Sequence, residues 1–223
     1  MKLGAILPDV SSARTPHDVT LRGAHVELTR LTPAHAAELY EASHGAGCEA
    51  LWTYLAEGPF TDATAFAQSV AEKSASLDPF YFAIRDLTSG RVVGHCAFLR
   101  IFPEHRSIEI GNILYTPALQ RRPGGTEAMY LIARHAFEDL GVRRYEWKCN
   151  ALNAPSFRAA QRYGFTFEGV FRQHMMVKGR NRDTAWFSML DSEWPARRAS
   201  FEAWLAPTNF DEAGRQRSSL SML

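Results

Sequence analysis

The stretch that most constrains the fold runs from residue 106 to residue 126, Arg-Ser-Ile-Glu-Ile-Gly-Asn-Ile-Leu-Tyr-Thr-Pro-Ala-Leu-Gln-Arg-Arg-Pro-Gly-Gly-Thr. Ile108, Ile110, Ile113 and Leu114 make a short apolar run that reads as a strand. It stops at Thr116-Pro117, because proline cannot donate to a ladder and restricts the residue before it. A basic turn follows, Gln120-Arg121-Arg122-Pro123-Gly124-Gly125, and a long amphipathic helix opens at Thr126 with Glu127 in its first turn. Strand, glycine turn and helix N-terminus in that order make an anion site. Bare N–H groups and the positive end of the helix dipole face the ligand, and glycine lets a phosphate approach the backbone. Arg121 and Arg122 add charge that a pyrophosphate matches. The other reading is a plain turn. No Gly-Lys-Ser/Thr follows, so it is not a P-loop, and Gly-x-Gly-x-x-Gly is missing, so it is not a dinucleotide fingerprint.

Composition narrows the class. The 223 residues suffice for one substantial domain, with little left for a second. Twenty-five Lys and Arg against 24 Asp and Glu leave no strong field, which argues against nucleic acid and against an anionic membrane surface. Cys48, Cys96 and Cys149 are odd in number and far apart, with neither metal-ligand spacing nor a disulfide framework, so a reduced, cytoplasmic setting is expected. The histidines are scattered, and no metal is expected. No apolar run approaches the ~20 residues of a membrane span, and the apolar stretch in residues 1–10 is too short for a signal peptide.

Taken in order, residues 1–22 read as an N-terminal arm, broken by Pro8 and Pro16. A strand begins at Val26, and Thr32-Pro33 opens a helix with Ala36, Leu39 and Tyr40 inward. Residues 44–62 are loop-rich and aromatic. Trp52, Tyr54 and Phe60 there form either a satellite core or a wall of a substrate pocket. A helix over 62–76 precedes strands at 80–85 and 92–102, joined at Thr88-Ser89-Gly90. The helix from Thr126 ends at Gly141 as its C′ residue, and a strand over 144–149 follows. Asn153 caps a helix to about Tyr163, residues 165–177 form a long strand, and 183–190 return antiparallel. A last helix runs from Asp191-Ser192 through Leu205, and residues 207–223 have the low apolar content of a disordered tail.

The series from Gln120 onward resembles a known pattern. Gln120-Arg121-Arg122-Pro123-Gly124-Gly125 is similar to the Gln/Arg-x-x-Gly-x-Gly/Ala signature of the GNAT superfamily of N-acetyltransferases. Thr126-Glu127-Ala128, Ala136-Phe137, Leu140-Gly141, Arg144, Glu146, Asn153, Ser156, Gly164-Phe165 and Glu168-Gly169 follow in the order of its RimJ/RimL-type branch. The resemblance spans about residues 24–205, with one departure: Pro123 replaces the first glycine and removes an N–H from the phosphate cradle. It implies an α+β (mixed α/β) fold, with a mostly antiparallel twisted sheet of about seven strands, a splayed parallel pair and helices on both faces, in one domain over 23–206. It also implies acetyl-CoA as co-substrate and direct transfer to a primary amine in a ternary complex. The pyrophosphate falls to Gln120, Arg121, Arg122, Gly124, Gly125 and Thr126, and the pantetheine arm to the backbone of Ile113, Leu114 and Tyr115 and to Asn153.

Many relatives protonate the leaving thiolate with a tyrosine seven residues after that asparagine, where this chain has Ala160. Ser156 lies one turn from Asn153 and is the acid that the RimL-like branch implies. For the base, Glu109 points away from its neighbours Ile108 and Ile110 and so lines either the cleft or the solvent face. His174 and Glu168 come after it, and His174 is also a candidate for acceptor contact. The acceptor is either a protein N-terminus or a small-molecule amine. A non-catalytic acyl-CoA sensor or partner-binding module on the same fold is the second reading, and the arm and the long strand suit a homodimer.

Overall fold

Along residues Arg144–Asn150, Tyr145, Trp147 and Cys149 are buried while Arg144, Glu146 and Lys148 alternate with them, and this division of faces organises the molecule. The computed structural model describes residues 3–220; Met1, Lys2 and residues 221–223, parts of the expected arm and tail, lie outside them. Eight strands form one open sheet: β1 (Leu21–Arg22), β2 (Val26–Arg30), β3 (Phe80–Asp86), β4 (Val92–Phe102), β5 (Ser107–Tyr115), β6 (Arg144–Asn150), β7 (Thr166–Val177) and β8 (Arg180–Leu190). Their order is β1-β2-β3-β4-β5-β6-β8-β7, and only β5 and β6 run parallel. This is the mixed GNAT-type sheet that the resemblance implied, with an eighth strand added by β1 at the edge.

Five α-helices cover it: α1 (Ala36–Ser43), α2 (Ala63–Ala75), α3 (Pro123–Arg134), α4 (Ala154–Arg162) and α5 (Trp194–Leu205). On one face α3, α4 and α5 enclose the larger core, from Val26 and Phe82 through Ile110, Leu131 and Tyr145 to Phe187 and Trp204. On the other, α1, α2 and the aromatic loop cover only the β3–β4 half, packing Leu39, Trp52, Phe66 and Val70 on Tyr81, Ala83, Ala97 and Leu114. The remaining half of that face, over β5, β6, β8 and β7, is polar.

Three expectations change. Helix α3 begins at Pro123, so the two glycines lie in its first turn instead of before it, and it passes into a π-helical turn at His135–Asp139. The C-terminal segment packs: Leu220 is buried in the core, and Asn209 is buried, donating to the carbonyls of Trp204 and Ser218. Phe210 also packs on Trp204, whose indole donates to Gln216, so this segment folds back on α5 although its composition reads as unstructured. The arm joins the body through Ala13 N–H to Pro103 O, Arg14 N–H to Leu140 O and the Arg106–Asp9 pair, and it ends in β1.

Candidate active site

The site begins where β5 leaves β6. The two strands pair from Ser107↔Arg144 to Ile110↔Trp147 and no further, although each continues. A bulge explains the parting. Ala97 pairs with Gly111 and His95 with Leu114, so two residues of β5 oppose one of β4, and Asn112 takes a left-handed conformation (φ 47°). The Asn112 side chain holds the bend by donating to Tyr81 Oη at 2.8 Å. Ile113, Leu114 and Tyr115 therefore have β4 on one side and no strand on the other, a free edge of the kind an extended ligand can join.

At the end of that edge stands the N-terminus of α3. Arg122 is its N-cap residue, no side chain caps it, and Pro123 takes the first helical position, where the missing N–H leaves no broken bond. Helix geometry leaves the amides of Arg122 and Gly124 without partners in the ladder, and Gly125 N–H turns back to Arg122 O. Thr126, next in the same turn, is buried behind them. Arg121 (φ 58°) and Arg122 are exposed beside them. An uncapped helix end flanked by two free arginines fits a pyrophosphate. Gln120 Nε2 donates to Tyr115 O at 2.8 Å, and so braces the turn against β5.

The glycines serve packing. A Cβ on Gly125 would come to 3.0 Å from Leu119 O and 3.3 Å from the Tyr115 ring, and one on Gly124 to 2.9 Å from Val26. A side chain at either position would therefore meet the protein itself. Behind the same turn, buried Glu127 accepts from the amides of Ala24, His25 and Val26 at 2.7–2.8 Å. Arg162 of α4 reaches Thr126 Oγ1 at 3.0 Å, bringing a third arginine to this end. Neither partnership shows in local sequence, since 36 to 103 residues separate the partners.

Across the gap, Asn153 is a helix cap, its Oδ1 accepting from Ser156 N–H at 3.2 Å. Ser156 Oγ accepts from the Trp147 indole at 3.1 Å and lies against the Cys149 thiol, whose pKa burial raises and Ser156 lowers. The hydroxyl thus sits between the Trp147 indole N–H and the Cys149 sulfur. Ala160 is fully buried, so the place of the tyrosine in other relatives lies inside the core here. Tyr163 packs on Trp147 and Phe201 at the helix end, and burial raises its pKa.

On the uncovered face, Glu109 is buried and paired with Arg100 (2.6 Å) and Lys148 (2.8 Å). Burial pushes its pKa up, against the pull of Lys148 and Arg100. Lys148 also holds Glu146, and Arg144 bridges Glu146 and Glu168. Burial pushes Glu146 up too, yet hydrogen bonds from Lys148 and Arg144 leave it below the usual value. His174 is exposed, with Nδ1 2.9 Å from Thr184 Oγ1 and its ring near Trp186.

The aromatic loop divides between its two readings. Trp52 belongs to the core, correcting its place among substrate contacts: it is 1% exposed, donates to Ser43 O and packs against His44, Phe60 and Phe66. Phe60 is half-buried on the same cluster, whereas Tyr54 is exposed and donates to Leu152 O at 2.9 Å, across the end of the cleft. Among the described residues no cluster of three or more His, Cys, Asp or Glu could hold a metal, and no helix is long and apolar enough to cross a membrane.

Known proteins share this fold. The sequence model for the acetyltransferase (GNAT) domain matches residues 25–166. A GCN5-related N-acetyltransferase from Brucella melitensis is 47% identical, with a TM-score of 0.95 over 97% of this chain and 98% of that one. A probable acetyltransferase of the GNAT family from Chromobacterium violaceum is 39% identical, with a TM-score of 0.81 over 87% and 98%. An N-acetyltransferase of Bacillus licheniformis, p20, described as uncharacterized, is 30% identical over 148 residues, 63% of this chain and 80% of its own. With that domain model covering more than half of this chain, and the strands parted before an uncapped helix, the chain belongs to the GNAT family of acetyltransferases.

Proposed function

We propose that this protein transfers an acetyl group from acetyl-CoA directly to a primary amine in a ternary complex, as a RimJ/RimL-type member of its family. One observation carries the reading: the edge of β5 freed by the Asn112 bulge leads from the uncapped end of α3 to the Ser156 hydroxyl. Acetyl-CoA supplies the activated acyl group. The backbone of Ile113, Leu114 and Tyr115 lines its arm, and the turn from Gln120 to Gly125 with Arg121 and Arg122 takes its phosphates. Amide formation releases one proton from the amine and requires one at the departing sulfur. Ser156 gives the second, its oxygen fixed by Trp147. Glu109 draws off the first through water, its basicity raised by burial and restrained by two cations. The order of motifs from Gln120 to Gly169 supports the branch, and three free cysteines, two of them buried, support a cytoplasmic setting.

Free thiol release from acetyl-CoA with a panel of amines tests this. The parent turns over at least one amine, and Ser156→Ala lowers kcat about 100-fold or more while CoA affinity holds. Absence of both turnover and CoA binding sinks the proposal. CoA binding without turnover by the parent indicates a sensor instead.

A further inference from the structure

The polar half of the sheet face has a charge imbalance at one residue. Arg100, Lys148 and Arg144 each lie within 2.9 Å of a carboxylate, and Glu109, Glu146 and Glu168 are all engaged by them. A fourth cation, Arg182, stands on the same face of β8 as Thr184 and Trp186, two and four residues on. It is half-buried, its Nε is shut off from solvent without a partner, and its guanidinium makes no hydrogen bond or ion pair among the described residues. Glu109 is near enough to attract it and Arg100 near enough to repel it, yet Glu109 is already held by two other cations. A buried Nε–H without an acceptor is costly, and the other guanidinium nitrogens are left open to a ligand, so the group is placed to take an anion supplied from outside.

Its position says which anion. Asn150, the last residue of β6, pairs with Thr184, so Arg182 lies just past the end of the β6 ladder, at the level where β5 and β6 have parted. Its charge is felt at Cys149, the thiol beside Ser156. The surrounding rim is tied down on two sides. Lys178, in the turn between β7 and β8, donates to Trp52 O (2.7 Å) and Gly58 O (2.6 Å), and Tyr54 donates to Leu152 O. Trp186, tilted against Phe171 at 4.5 Å, gives the face an apolar wall whose indole N–H is also without a partner among the described residues.

We propose that Arg182 is the acceptor's anchor: the amine acetylated here belongs to a small molecule that also carries a carboxylate, which the guanidinium takes as a planar, two-point partner. This deepens the acetyl-transfer reading above and rests on it. A free amino acid satisfies Arg182 and delivers its amine into the parted strands. A polyamine meets Arg182 and Arg100 as like charges, and a peptide N-terminus, whose carboxyl is an amide, leaves the guanidinium unpaired.

The test uses the full chain with acetyl-CoA, a set of L-amino acids each beside its α-amide, a tetrapeptide and spermidine, followed by thiol release. The parent prefers the acid over its amide by roughly 10- to 100-fold in kcat/KM for its best acceptor. Arg182→Gln brings that ratio to about one with the KM for acetyl-CoA unchanged, and Arg182→Lys keeps part of it. Turnover of amides, tetrapeptide or spermidine as good as that of acids overturns the assignment while leaving acetyl transfer intact. So does an acid preference that survives Arg182→Gln. No turnover with any amine overturns both.

Discussion

His95 shows how far a single residue can depart from its free chemistry. It is 3% exposed on the helix-covered side of β4, its Nδ1 has no partner, and its ring meets Tyr81 edge-on. Burial and the nearby Lys73 ammonium depress its pKa from 6.5 to about 3, and a bond to the Asn112 backbone only partly offsets them. The folded pKa lies below the unfolded one, so as pH falls the unfolded chain takes the proton first. The stabilisation is whole above about pH 6.5 and is lost progressively toward pH 3. The urea midpoint of the parent is expected to drop steeply between pH 7 and pH 4, and that of His95→Gln less so. Equal drops would remove His95 as the source. Nothing local in the sequence marks this histidine: its environment comes from Tyr81, Asn112 and Lys73 on three other elements. Glu109 is similar. Alternation with Ile108 and Ile110 correctly turns it from the core, but Arg100 and Lys148, which bury its charge, come from two other strands.

At the scale of elements, α3 is held at its first turn by more than its own hydrogen bonds. The sequence marked Ala128, Leu131 and Ile132 as inward, but not that Gly124 through Ala133 are all buried, nor where the helix starts, because Gly-Gly reads as a turn until tight neighbours explain it. Glu127 binds three consecutive amides of the chain entering β2, and so ties the first turn of α3 to that side of the sheet. Removing a buried acceptor of three N–H groups leaves each unsatisfied. Glu127→Ala is therefore expected to lower unfolding stability by about 3 kcal/mol or more, read as a lower urea midpoint. A loss below ~1 kcal/mol would mean that water replaces the carboxylate there.

Over the whole molecule, the apolar surface is uneven. The arm exposes Leu3 (85%), Ile6 (96%) and Val10 (81%), and β7, an edge strand of twelve residues, exposes Phe167, Val170, Phe171 and Met176. Unpaired edges with apolar side chains favour association. A homodimer of the 25.0 kDa chain is expected in light scattering, shifting toward monomer when residues 1–12 are removed. A 25.0 kDa species alone at assay concentration counts against it.

What the sequence by itself determined was carried by near-neighbour physics. Strand alternation in residues 144–149, the stop at Thr116-Pro117, the Asn153 cap and the ordered spacing from Gln120 to Gly169 depend on contacts within a turn or a rung, and they specified the sheet, its helices and the family. Tertiary structure decided everything that depends on which distant groups share a space. Folding drew Trp52 into the core instead of the pocket, ordered the C-terminal segment around Leu220, and gave every carboxylate of the open face a partner while leaving Arg182 without one. Periodicity says which way a side chain points. Only the folded chain says what it meets there, because burial and charge balance sum over residues many tens of positions apart.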